Sequence, residues 1–428
     1  MSNPNAGALD KTLEHMHTSL ERVGAFMLGN GMAYRMQIEH VKRLRDAVLT
    51  GKPIVYQNFS LHSELFWAMD MVPIIIDGLA LELSRGEGGR GALDYIDLAE
   101  RYAPGHLCAD NKTTLGAALS GAMPKPSLIV HASAPCDSAN ISYPAMADFY
   151  GVPHYCIDMP YFKDERGFQY MSGELKRLVT LLEEITGRKM DFDRLKQVME
   201  YANTAQEYWL KMRELRRNIP CPIGAIDAVA DANNLGNMIG TPFLADYMKE
   251  RYELVKDRVD RKVGQIEKEK YRVVWPYGWA IFDPTLITML EQKYNAVTVA
   301  TMFSNSMAQP LEDISDYDKL MMSLAKKYVN LPMIMEVYNT YEAFVDTAIE
   351  MYRHFNADVA IFGGHIACKS NWAMMKLIKD KIQEETGLPL LVIEWDDFDP
   401  RVTSAESVRA QIDEFFETIV TKMVKPRA

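Results

Sequence analysis

No stretch of this chain approaches the ~18 consecutive apolar residues of a membrane span. Its start, MSNPNAGALDKTLEHMHTSL, lacks the basic region and greasy core of a secretion signal, so a cytoplasmic location without a membrane partner is expected. Lysine and arginine nowhere cluster, and at a formal net charge of -11 the chain offers no footprint for nucleic-acid phosphates. Cysteine is scarce: five, an odd number, spread over 428 residues at positions 108, 136, 156, 221 and 368, which speaks against a disulfide framework. Also missing are the CxxC pairs and HExxH helix of common zinc sites, and the GxxxxGK[ST] loop of nucleotide hydrolysis.

The remainder is the balance of a globular protein, 48% apolar and 25% charged, in a chain too long for one ordinary core. Residues 1–50 read as two amphipathic helices, with apolar positions every three or four residues. From 51 to 165 strand-like runs (PIVYQNF, VPIIID, SLIVHA, HYCID) alternate with helix-length segments. Strand signals vanish over 166–270, where Leu195, Val198, Met199, Ala202, Trp209 and Met212 share a helical face. Over 271–428 the alternation returns with YRVVW, AVTVATM, DVAIFG and LPLLVIEW, and closes on a helix opened by a capping box of Thr403 and Glu406. The expected fold is α/β: two Rossmann-like parallel-sheet domains, a helical N-terminal segment, and a helical insert between the domains.

The two α/β blocks share a local plan. Each runs strand, short loop, cysteine (Cys136 or Cys368), helix, Gly-Val-Pro or Gly-Leu-Pro, strand; the cysteine-to-glycine distances of 15 and 19 residues make them similar units and not a strict repeat. Both cysteines fall beyond the carboxyl end of a strand, where open α/β sheets bind ligands, and precede a helix whose N-terminal field favours a thiolate. Cys108, in YAPGHLCADNKTTLG, likewise ends a loop and opens a helix, whereas Cys156 and Cys221 read as buried structural residues. Three loop-borne thiolates suit an iron-sulfur cluster with one iron left without a cysteine; zinc is the competing metal but lacks its usual short paired spacings, and three plain buried thiols also fit.

The segments HLCADNKTTLG, PCDSANISYPAMADFYGVPHYCIDMP, GGHIACKSNWAMMKLIKD and GLPLLVIEWDDFDPR, in that order, resemble the 2-hydroxyacyl-CoA dehydratase family, which includes the electron-accepting subunits of ATP-dependent benzoyl-CoA reductase. The likeness runs from about residue 50 to the C-terminus. It implies that Cys108, Cys136 and Cys368 hold a 4Fe-4S cluster, that the substrate is an acyl-CoA, and that the chain pairs with a related second iron-sulfur subunit. It also implies a separate ATP-hydrolysing iron-sulfur activator that injects one low-potential electron. In the dehydratases that electron passes to the thioester carbonyl, giving a ketyl that expels the neighbouring hydroxyl, and is returned after turnover; in the reductases it is consumed by an aromatic ring. Dehydration of a 2-hydroxyacyl-CoA is the first expectation, with aromatic ring reduction or a purely electron-transferring subunit as alternatives. One departure is that His62 and Ser63 stand ahead of ELFWAMDMVP, where family members often carry proline, which leaves the acyl group open.

Three further residues are candidates for catalysis. Asp77, at the end of VPIIID, could bind the substrate hydroxyl or relay a proton, or cap a helix. His365 could hydrogen-bond to a cluster sulfur or to substrate. Ser60, with Asn58, could donate to the thioester carbonyl, or Ser60 could be an N-cap. The glycine-rich Gly86–Gly91 could cradle a phosphate or form a turn, and Trp275, Tyr277 and Trp279 could wall an acyl pocket or pack the core.

Overall fold

The computed structural model of the chain describes residues 4–278, 282–283, 285–305, 308–331, 334 and 341–427. Two helices open it, α1 (Pro4–Val23) and α2 (Leu28–Thr50). The first alternating block is β1 (Ile54–Gln57), α3 (Glu64–Ala68), β2 (Val72–Ile75), α4 (Ile76–Gly89), α5 (Leu93–Ala99), α6 (Ala109–Leu119), β3 (Leu128–Ala132), α7 (Ala139–Tyr150) and β4 (His154–Ile157). Four helices follow: α8 (Glu165–Thr186), α9 (Phe192–Leu215), α10 (Ala225–Met238) and α11 (Pro242–Asp260). The second block is β5 (Tyr271–Trp275), α12 (Thr285–Tyr294), β6 (Ala296–Thr301), α13 (Tyr317–Tyr328), α14 (Tyr341–His354), β7 (Val359–His365), α15 (Lys369–Thr386), β8 (Leu390–Trp395) and α16 (Ala405–Phe415). Among the described residues no helix is long and apolar enough to cross a membrane.

Both sheets have four strands, all parallel, and both follow one order: β2-β1-β3-β4 and β6-β5-β7-β8. Continuous burial of β1, β2 and β3 follows from their apolar sequences, since a parallel strand meets helices on both faces. Ile54 and Tyr56 point toward α2 and α10, whereas Val55, Leu128 and Val130 point toward α3, α8 and α9. In each sheet the chain reverses direction of progress between its first and third strands, the crevice where such sheets bind ligands.

The halves exchange helices. Leu320, Met321, Leu324 and Ala325 of α13 belong to the core of the first sheet, while Leu93 and Ile96 of α5 belong to that of the second. A buried ion pair fixes the first exchange: Lys327 Nζ lies 2.6 Å from Glu64 Oε1, both side chains at most 1% exposed. The Tyr328 hydroxyl completes it, donating to the His62 carbonyl at 2.7 Å and to Glu64 Oε2 at 3.2 Å. Burial alone would raise the Glu64 carboxyl; Lys327 overrides this and leaves it below its ordinary value.

Some local expectations are corrected. The last helix is capped one residue later than the box of Thr403 and Glu406 proposed: Ser404 accepts the Ser407 N–H at 3.2 Å, while Thr403 donates to the Glu394 carbonyl. The glycines from Gly86 onward form no phosphate loop, because α4 runs through Gly89. Cys156 is only half-buried, since β4 is an edge strand, whereas Cys221 is fully buried and donates to the Ile223 carbonyl at 3.1 Å. The helix-length segment before β2 yields only the five residues of α3.

Lys327→Met should strand the Glu64 charge and cost about 3–5 kcal/mol by urea unfolding, with most of the loss recovered in Glu64→Gln/Lys327→Met. Acid should also weaken the fold. Burial pushes His40 down from 6.5 to about 4 and His62 to about 3. Only the unfolded chain therefore takes up these protons as pH falls below 6.5, so their contribution is whole above that value and is lost progressively on acidification. By about pH 5 each should have cost roughly 2 kcal/mol, and His40→Leu should flatten that slope.

Candidate active site: a cavity lined by three cysteines

The carboxyl ends of the two sheets open on one cavity of about 830 Å³, whose wall includes Cys108, Cys136 and Cys368 together with Asp77, Asp110, His365 and Asp397. Each cysteine arrives by a defined piece of backbone. Cys136 sits on the loop from β3 to α7, its Sγ accepting the Ala139 N–H at 3.4 Å and the Asn111 amide at 3.8 Å. Cys368 is the N-cap of α15, on the equivalent loop after β7, and the Tyr277 hydroxyl bonds to it. Cys108 is the N-cap of α6, with its N–H donated to Ser138 Oγ at 3.0 Å and its Sγ 3.0 Å from His365 Nε2.

The end of β7 owes its packing to Gly363 and Gly364. A Cβ on Gly363 would lie 1.9 Å from the Trp395 ring, and one on Gly364 would lie 1.7 Å from the Trp372 ring. Only glycine lets the two indoles close over this strand end, which presents His365 to the cavity.

Burial, and not the helix-terminal field, governs the thiols of Cys136 and Cys108. It pushes Cys136 up to about 12, helped by Asp77, Cys368 and Asp110 and opposed by the Ala139 N–H. Cys108 is raised well above its ordinary value by burial, then by Asp110, Cys136, Asp396 and Cys368. For Cys136 and Cys108 the expectation that the helix N-termini favour thiolates is thereby corrected.

A second buried group faces the sulfurs. Asp77 is not at a strand end, as VPIIID implied: β2 stops at Ile75, and Asp77 sits in the first turn of α4. Its Oδ2 accepts the Phe59 N–H at 2.7 Å and the Tyr143 hydroxyl at 3.2 Å. Burial lifts it to about 6, and it shares a hydrogen bond with Asp110, whose own carboxyl is raised further by burial and by the Asp77 charge. Two carboxyls this close cannot both ionise, so the pair shares one proton. Asp397, pushed up to about 6 by burial, accepts the Trp395 indole N–H at 2.5 Å.

The structure thus brings Cys108, Cys136, Cys368, Asp77, His365 and Tyr277 together at the cavity. It does not bring Ser60 there. Ser60 is fully buried beneath the turn after β1, its hydroxyl without a partner among the described residues, and the N-cap of α3 is Ser63 instead. Asn58 accepts the Ala132 N–H at 3.3 Å, tying β1 to β3. Trp275 is core, with its ring 5.8 Å from that of Trp395, and Trp279 lies outside the described residues. Sequence reasoning missed Asp110, Asp397 and Tyr143. The acids two residues after Cys108 and in EWDDFDP were visible signals; no spacing rule marks Tyr143.

Among the described residues no three His, Cys, Asp or Glu side chains gather round one point as a single ion requires. A cubane asks for something different, soft sulfurs at separate corners of a core that carries positive charge. Three cysteines from separate loops of one cavity, receiving hydrogen bonds and held among buried carboxyls, match that donor chemistry.

The family model described as 2-hydroxyglutaryl-CoA dehydratase, D-component, matches residues 58–419. Among similar proteins are a benzoyl-CoA reductase subunit of Thauera aromatica, 23% identical over 70% of this chain and 72% of that one, and the (R)-phenyllactyl-CoA dehydratase alpha subunit of Clostridium sporogenes, 22% identical over 70% and 72%. The alpha subunit of lactoyl-CoA dehydratase from Anaerotignum propionicum is 23% identical over 79% of this chain and 84% of its own length.

A protonated carboxyl between Asp77 and Asp110 should give an infrared C=O stretch that persists at neutral pH. Asp110→Asn should weaken that band by one carboxyl, and an unchanged band would refute the pairing.

Proposed function

Because the chain belongs to the 2-hydroxyglutaryl-CoA dehydratase D-component family, we propose that it is the iron-sulfur subunit of a radical 2-hydroxyacyl-CoA dehydratase, a hydro-lyase acting on a 2-hydroxyacyl-CoA thioester. The observation that carries this reading is the arrival of Cys108, Cys136 and Cys368, two of them on corresponding loops of two sheets, at a single cavity. These residues would hold a 4Fe-4S cluster. When bound, it would supply reversible one-electron chemistry and one iron that no cysteine of this set ligates.

The chain's own residues do the remainder. Phe59, Tyr277, Phe282 and Phe303 give the cavity apolar walls that exclude water from the reacting carbonyl. Asp77 presents carboxylate oxygens held by the Phe59 N–H and the Tyr143 hydroxyl, and its pairing with Asp110 keeps one shared proton within reach. That pair would accept the proton lost from C3 and return one to the departing hydroxyl. The relatives are themselves named as subunits of larger enzymes, which supports assembly with a related second chain. A separate ATP-hydrolysing activator would deliver the electron.

The aromatic walls and the likeness to a benzoyl-CoA reductase component favour a second reading, reduction of an aromatic acyl-CoA. Anaerobic purification should give iron and acid-labile sulfide in equal amounts, and Cys368→Ser should lose most of both. Offered 2-hydroxyacyl-CoA and aromatic-CoA panels with activator and partner present, the enzyme should dehydrate the former; ring reduction without dehydration would select the second reading. Asp77→Asn should lower turnover about 10²–10⁴-fold while retaining the iron.

A further inference from the structure

We propose that His365 is a positioning residue that donates its Nε2–H to the sulfur of Cys108 and thereby raises the reduction potential of the cluster. The proposal rests on the reading that Cys108 is a cluster ligand.

The tautomer follows from hydrogen bonding. Nδ1 of His365 lies 3.1 Å from the backbone nitrogen of Asp397, whose N–H can only donate. The nearest carboxylate oxygen, Asp396 Oδ2, stands 3.7 Å from Nδ1, too far to accept a proton from it. Nδ1 must therefore carry the lone pair and Nε2 the proton. Nε2 lies 3.0 Å from Cys108 Sγ, within the range of an N–H···S hydrogen bond, so the proton points at the sulfur.

The ring cannot turn away. His365 is 2% exposed at the last position of β7, where Gly363 and Gly364 allow Trp395 and Trp372 to close over the strand. The Asp397 N–H is held in turn: Asp396 Oδ1 accepts the N–H groups of Phe398 and Asp399, each at 2.9 Å, which locks the turn that presents it. The neighbouring indole of Trp395 anchors the Asp397 side chain. One rigid chain of contacts thus runs from the turn after β8, through the imidazole, to a cysteine that opens α6 in the other half of the molecule.

Reduction adds one electron, and no bond to carbon or hydrogen changes. A fixed donor on a ligating sulfur stabilises the added negative charge, so the reduced state becomes easier to reach. Charge-assisted donors of this kind are stronger than neutral ones. Cys136 receives a backbone N–H and a distant amide where Cys108 receives an imidazole, so these two cluster corners would be electronically unequal.

The test is an anaerobic redox titration, followed by electron paramagnetic resonance, of wild type, His365→Phe and His365→Gln, each with iron and sulfide analysis. The expected result is a full cluster in all three, a more negative potential in His365→Phe, and recovery toward wild type in His365→Gln, whose amide N–H can replace the imidazole donor. A full cluster with an unchanged potential in His365→Phe overturns the proposal and leaves the cluster reading intact. A wild-type protein that takes up no iron or sulfide overturns the cluster reading itself. Should His365→Phe fail to keep its iron, ¹⁵N shifts of the ring in the metal-free wild type decide the matter: a proton on Nδ1 overturns the proposal, and one on Nε2 supports it.

Discussion

A lysine ammonium sealed against a glutamate, with almost no solvent at either group, joins residues 263 positions apart in this chain. Such a pair does little for net stability, because removing both charges from water offsets most of their attraction. Its effect is on geometry. Glu64 opens the helix that follows the turn after β1, and Lys327 lies near the end of α13, so the contact fixes the second half of the chain to the strand-end rim of the first. His62, whose carbonyl takes the Tyr328 hydroxyl, lines the cavity beside this contact. The position of the shared cavity between the sheets depends on that docking.

The same economy of contacts explains the sulfurs. In a metal-free chain Cys108 and Cys136, facing Asp77, Asp110 and Asp396, have every reason to keep their protons. Their surroundings are hostile to isolated thiolates but suited to thiolates whose charge is offset by a metal core. A site of this kind discriminates by charge before it discriminates by shape. Loading and proton release would be coupled.

Much of the fold was legible because parallel strands bury both faces and so appear as continuous apolar runs; seven of the eight strands fall within the expected segments, and β7 runs two residues past DVAIFG to His365. The resemblance in the cysteine segments identified the family, and position beyond a strand end brought Cys136 and Cys368 to the cavity wall. What sequence could not give were distances across the chain. Asp110 gains its meaning from Asp77, 33 residues earlier, and His365 from Cys108, 257 residues away. Asp77 was misplaced by two residues because Ile75 and Ile76 suit a strand and a helix start equally well. Ser60 looked available in a polar turn, yet packing covers it.

The exchange of α5 and α13 between the two cores bears on how the polypeptide can be handled. A cut between the blocks would leave each fragment with a bare greasy flank where the other's helix belongs. Halves made separately should be sticky and poorly behaved alone, yet able to find each other by trading those helices. The ribosome faces the same arithmetic: the core under the first sheet lacks one covering helix until residues beyond 320 have emerged.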